Sequence, residues 1–402
     1  MKKYILDNGI RLIYKRVTSS LTSVCVSLDG GALRDGEKLG IAHVTEHMVY
    51  KGTKRRSEED INREISEVFG FSNAMTNYPY VIYYGTLLGE DLNKGMDILS
   101  DIIINPTFKE DGFKEEMDVI FEELKEWDEE LEQYVEDKLF LNSFNKRRIK
   151  YPIIGTVQSL KSIKLDDVKE FYNKIYFPRN TVITVITPLD FNEVLNITEN
   201  YFGNWNIEKN FLKSMEYEEV KESKFIETKY GIKTSKVEIA YDISNLTNIE
   251  IKALRIFNEY FGEGVNSKLF DLLRTKNGLV YDVLTRVSHE NGIKLYKITF
   301  STSKEKVEEA LNLTFKCIDN ISNLKTLYEI DIIKLKKSFK LRRLFKEEQS
   351  IVLAKELSTY ETMFDDYKVY VDESESLDNI NLELICNTYK KVFKNSLVQV
   401  IK

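Results

Sequence analysis

Gly40-Ile41-Ala42-His43-Val44-Thr45-Glu46-His47-Met48 is the stretch on which the reading of this 402-residue chain turns. Two of the chain's three histidines stand in it. At 3.6 residues per helical turn, residues four apart lie about 40° from each other around the axis. Both imidazoles therefore reach toward one point, and Glu46 projects from the same side. The order His-x-x-Glu-His is the inverted zinc-peptidase pattern. A catalytic zinc site takes three protein ligands and leaves a fourth position open, so a third ligand must come from elsewhere in the chain.

The segment most informative about that ligand is 109–142, whose spacing predicts one long helix. Phe113, Met117, Ile120, Leu124 and Trp127 form its apolar stripe. Most of its many acids fall opposite the stripe as solvated charge. Glu116 and Glu123 do not. Seven residues apart, they stack on one line about 70° from the stripe's centre, at the edge of the buried face, whereas Glu115 and Glu122 point away. The helix thus singles out Glu116 and Glu123 as half-buried acids.

Composition bounds the rest. The chain is long enough for two domains, and 42% hydrophobic content supports a sizeable core. A net charge of -7 with no basic stripe argues against a nucleic-acid partner. Cys25, Cys317 and Cys386 lack paired metal spacing and read as reduced core residues. The N-terminus turns polar after six residues, and no run approaches membrane length. We therefore expect a cytoplasmic protein without a membrane partner.

Along the chain, residues 3–15 read as a hairpin about Asp7-Asn8-Gly9. Strands follow at 23–28, 80–88 and 181–187, with helices at 58–68 (ending at Gly70), 92–104 and from about 165. The charged, weakly patterned stretch 209–229 reads as an interdomain linker. Beyond it, strand 237–242, helix 253–261, strand 294–300, helix 304–321, long helix 327–358, helix 382–394 and strand 397–401 replay the first half without the metal ligands. This internal repeat gives two homologous α+β domains, 1–208 and 230–402. Gly262-Glu263-Gly264 follows a helix and reads as a turn, not a phosphate loop. His289 is expected to be exposed in a hairpin turn, and Tyr78, Tyr80, Tyr83 and Tyr84 to pack in core and edge.

Several further stretches complete a pattern: Gly31-Ala-Leu-Arg-Asp35, Lys51-Gly-Thr53, Asn73-Ala74-x-Thr76, Met117-Asp-Val-Ile-Phe-Glu-Glu123, Ser267-Lys-Leu-Phe-x-x-Leu-Arg274 and Gly278-Leu-Val-Tyr281. With the histidine motif, they make the chain resemble the M16 (pitrilysin/insulinase) family, subfamily B, over essentially its whole length. The resemblance implies LuxS/MPP-like domains, each a mainly antiparallel sheet packed against helices, forming half of a clamshell. It departs from the pattern at Leu33, Lys150-Tyr151-Pro152 and Thr187-Pro188, none of which touches a ligand.

By that resemblance, His43, His47 and Glu123 bind one Zn2+ per chain, and Glu46 is the general base. Glu116 is an ancillary acid beside the metal. Arg274 and Tyr281, from the second domain, hydrogen-bond the scissile carbonyl, and Asn73 and Ala74 belong to an edge strand that takes substrate as an added strand. The implied activity is a zinc-dependent endopeptidase acting on peptides or unfolded segments in an enclosed chamber. The chain would work as a homodimer or as a heterodimer with another M16-like chain. The rivals are a maturase for one precursor peptide and a non-catalytic scaffold subunit.

Overall fold

The computed structural model describes residues 1–209, 215–321 and 329–402. Helices α1 (Ile41–Met48), α2 (Glu58–Val68), α3 (Leu92–Ile104), α4 (Glu110–Glu129), α5 (Leu131–Ser143), α6 (Val157–Ser162), α7 (Leu165–Ile175) and α8 (Phe191–Phe202) belong to the first half. The second half carries α9 (Asn248–Phe261), α10 (Lys268–Phe270, continued by a wider turn over Asp271–Lys276), α11 (Val307–Ile321), α12 (Glu329–Glu347), α13 (Ser350–Phe364), α14 (Lys368–Glu375) and α15 (Leu382–Val392). The start of the helix expected at 327 lies outside the described residues.

The chain forms two compact units, each assembled from three stretches. Unit 1 comprises Met1–Lys125, Tyr151–Ser214 and Phe345–Tyr370. Its sheet contains β1 (Lys2–Ile5), β2 (Arg11–Arg16), β3 (Leu21–Leu28), β4 (Phe69–Thr76), β5 (Val81–Leu88) and β6 (Thr181–Thr187), in the order β1-β2-β6-β3-β5-β4. Only β2 and β6 run parallel, so the sheet is mainly antiparallel. Strand β3 is buried on both faces. Val24, Val26 and Leu28 supply large apolar groups, while alternate residues Ser23 and Ser27 meet α13. There Ser27 Oγ lies 2.7 Å from both Ser358 Oγ and Thr362 Oγ1, and Ser23 Oγ lies 2.8 Å from Ser350 Oγ. Hydroxyls satisfy one another across this layer, which keeps buried polar groups paired.

Unit 2 comprises Glu126–Lys150, Met215–Leu344 and Val371–Lys402. Its strands β7 (Ser223–Glu227), β8 (Ser235–Asp242), β9 (Val280–Ser288), β10 (Leu295–Thr302) and β11 (Leu397–Ile401) lie in the order β7-β11-β8-β10-β9. Again a single pair, β7 with β11, is parallel. The two sheets therefore share one plan: β7, β11, β8, β10 and β9 repeat the positions of β2, β6, β3, β5 and β4. The core gathers Val237, Ile239, Phe257, Phe261, Tyr296 and Phe300. Helix α5 packs on this sheet through polar contacts, with Lys297 Nζ of β10 2.5 Å from Glu136, Lys236 Nζ of β8 2.7 Å from Glu132 and Asn142 donating to Gln399 of β11 at 2.9 Å.

Five expectations need correction. The long helix expected over 327–358 is α12 and α13, because Gln349 leaves helical geometry at φ -78°, ψ 105°. The segment 109–142 is two helices, because Glu130 leaves helical geometry at φ -71°, ψ 104°. Asp128, Glu129, Glu130 and Glu132 crowd like charges that disfavour a helix C-terminus and suit the N-terminus that follows. The stretch 209–229 is not all linker: 210–214 lie outside the described residues, but Ser223–Glu227 is β7. Gly70 does not end a helix, since α2 passes directly into β4 at Phe69. His289 is 5% exposed, with Nδ1 3.7 Å from the buried Glu373. The tyrosines Tyr78, Tyr80, Tyr83 and Tyr84 are all buried, and the three cysteines are free.

Candidate active site

The site begins with how α1 starts. Gly40 adopts φ 91°, and a Cβ there would stand 2.4 Å from the Ile154 carbonyl oxygen, so only glycine fits. The buried Asp35 carboxylate accepts from the backbone N–H of Gly40 at 2.7 Å and of Ala42 at 3.0 Å. It thereby satisfies two N–H groups that the first turn leaves unpaired and places negative charge at the positive end of the helix. This fixes α1 against its neighbours and sets where its histidine face points.

On that face His43 Nε2 lies 3.2 Å from His47 Nε2. From α4, Glu123 Oε1 stands 3.6 Å from His43 Nε2, and its Oε2 stands 3.6 Å from His47 Nε2. One ligand atom from each of the three residues falls within 4.8 Å of the others. A tetrahedral ion held about 2.0–2.1 Å from two ring nitrogens separates them by about 3.3 Å, which the histidine pair matches. Among the described residues His43 Nδ1 is buried with no hydrogen-bond partner, and Nε2 faces the other imidazole and the Glu123 carboxylate. A cation shared by both rings accounts for that placement. Glu115 and Glu122 are exposed while Glu116 and Glu123 are half-buried, as the helical stripe required.

Glu116, the ancillary acid of the resemblance, meets the outer side of the His47 ring. Its Oε1 lies 2.7 Å from His47 Nδ1, on the far side of the ring from Nε2. That contact orients the imidazole. Glu46 is 8% exposed and accepts from Thr76 Oγ1 of β4 at 3.1 Å. Burial raises the Glu46 pKa, opposed by His47 and by the Thr76 hydrogen bond. Burial, reinforced by His47, holds His43 down at about 3. For His47 burial disfavours the charge, but the Glu116 hydrogen bond together with the charges of Glu46, Glu123 and Glu116 outweighs it and the pKa rises.

Strand β4 pairs with β5 on one side only and is the edge of its sheet. Asn73 is exposed and Ala74 half-buried on it, two to three residues before Thr76. An open edge beside the histidine helix can accept an extended chain by main-chain hydrogen bonds. In unit 2, Arg274 and Tyr281 stand together: the guanidinium carbon is 5.5 Å from the Tyr281 ring and 5.1 Å from that of Phe270. Tyr281 is 80% exposed on edge strand β9. Sequence reasoning passed over Asp35 and Lys51 as individual residues, although both lie in stretches that carried the resemblance.

A family model described as Insulinase (Peptidase family M16) matches residues 11–157, and one described as Peptidase M16 inactive domain matches 162–336. The chain belongs to the M16 peptidase family. The first model covers the histidine motif, and the second covers the end of the first half and much of the second, which lacks the motif. Among M16 relatives, an uncharacterized zinc protease, YmxG of Bacillus subtilis, is 27% identical over 322 residues, 78% of this chain and 77% of that protein. The mitochondrial-processing peptidase subunit beta of Rattus norvegicus is 31% identical over 199 residues, 49% of this chain and 41% of that one. A protease from Helicobacter pylori has the same fold, with a TM-score of 0.90 at 19% identity, over 100% of this chain and 99% of the other. Among the described residues no helix is long and apolar enough to cross a membrane.

Proposed function

We propose that this M16 chain is a zinc-dependent endopeptidase acting on peptides or unfolded segments. The reading is carried by one juxtaposition: His43, His47 and Glu123 offer ligand atoms to a common point, with Glu46 and the open edge of β4 alongside. The donor set suits one zinc ion per chain, as do relatives named zinc proteases. When bound, that ion supplies a Lewis acid and lowers the pKa of water at its open position to about 7. Glu46 takes the proton of the attacking water and hands it to the leaving amine, a role that suits a carboxylate beside the two histidines and β4. Asn73 and Ala74 align substrate backbone as an added strand. Arg274 and Tyr281 act, by family resemblance, as donors to the oxygen that gains charge in the transition state.

A second reading, maturation of one precursor together with a partner M16-like chain, is favoured by the likeness to the processing peptidase β-subunit. In either case the working form is a homodimer or heterodimer in the cytoplasm. A purely scaffolding role fits less well with retention of every expected ligand and of the base. The test is Glu46→Gln. It should keep one zinc per chain while kcat/KM on a quenched fluorescent peptide drops by about 10²–10⁴. Parental activity in that variant would remove Glu46 as the base.

A further inference from the structure

Lys51 lies just beyond α1 and has no assigned part in the chemistry, yet it is placed against the ligand set. Its Nζ is 3.0 Å from Glu116 Oε2 and 2.8 Å from Glu58 Oε1, with Glu115 Oε2 at 3.8 Å. Its side chain is 10% exposed, unusual for a lysine, and its stem lies on Gly112 of α4. A Cβ at Gly112 would stand 3.3 Å from Lys51 Cβ, so α4 and the segment after α1 approach closely here. The two oxygens of Glu116 are divided, Oε1 for His47 Nδ1 and Oε2 for Lys51.

We infer that Lys51 is a positioning residue for the metal site, acting through Glu116 on His47. An ammonium on Oε2 leaves Oε1 to accept from His47 Nδ1–H, and that tautomer puts the lone pair on Nε2, which faces His43 and Glu123. Charge points the same way. Glu116 carries its negative charge against His47, and the Lys51 ammonium offsets that charge. The inference rests on the zinc reading above.

The experiment measures zinc affinity of the full chain by competition with a chromophoric chelator, for the parent, Lys51→Met, Lys51→Arg, Glu116→Gln and the Lys51→Met/Glu116→Gln double variant. Lys51→Met should weaken binding about 10–100-fold, the range for groups that orient a metal ligand. The double variant should bind no worse than Glu116→Gln alone. Lys51→Arg, which keeps the charge, should stay within a few-fold of the parent. Melting of the metal-free proteins separates this from folding: parent and Lys51→Met should melt alike without zinc and differ with it. Parental zinc affinity in Lys51→Met, additive losses in the double variant, or a Lys51→Arg loss as large as that of Glu116→Gln would overturn the inference. A parent chain whose zinc binding is absent or indifferent to His43→Ala would instead overturn the metal reading itself, so the two failures are distinct.

Discussion

Asp35 shows how a residue far from the chemistry decides where it occurs. Its carboxylate holds the first turn of α1, and every ligand distance in the site depends on that turn. Asp35→Ala should cost about 1–2 kcal/mol of stability by denaturant unfolding and weaken zinc binding; an unchanged midpoint and affinity would show that Gly40 alone sets the helix. At this scale much of the site was legible in the sequence. His43 and His47 declare themselves by spacing, and Glu116 and Glu123 by their angle to a buried stripe. What spacing does not reveal is which oxygen a half-buried acid turns to which partner. That Glu116 turns one oxygen to the outer nitrogen of His47 is seen only in the structure. His289 was misjudged for a similar reason. Its neighbour Glu373 lies far along the chain, and no local pattern announces the pair.

Among the elements, long apolar periodicities were readable and charge-rich ones were not. Helix α3 and strand β5 follow their hydrophobic patterns closely. The break at Glu130 carries no glycine or proline, only accumulated negative charge. Strand β7 puts Lys224 and Ile226 outward and Ser223, Phe225 and Glu227 inward, so polarity does not follow the alternation. The α13 layer is likewise hidden in a sequence of ordinary serines and threonines. Because Ser27 serves both Ser358 and Thr362, Ser27→Ala leaves buried hydroxyls short of a partner. We expect it to cost about 1–2 kcal/mol in urea unfolding, against a neutral result if the hydroxyls rearrange among themselves.

Over the whole molecule, the two homologous halves of the sequence are not the two compact units. The segment 126–150 completes unit 2, and 345–370 completes unit 1. A fragment ending at residue 208 would therefore leave Ser23 and Ser27 without α13. It should show no cooperative thermal transition, whereas the full chain should; a sharply melting fragment would contradict this assembly. Unit 2 adds a pH dependence. Burial alone would raise the Glu373 pKa, but Arg255 and then His289 and Arg343 carry it down to about 2. A depressed carboxylate stabilises fully above its unfolded value of 4.5, and that contribution disappears as pH falls toward 2. Glu373→Gln should cost about 3–5 kcal/mol near neutrality, with the gap to the parent closing in acid. A gap independent of pH would mean that the charge is not what stabilises.

The most direct measurement for the account is zinc stoichiometry of the purified chain beside its Glu123→Gln and Glu122→Gln variants. The account predicts one zinc per chain in the parent and in Glu122→Gln, and a clear loss in Glu123→Gln. Zinc retained by Glu123→Gln but lost by Glu122→Gln would contradict it.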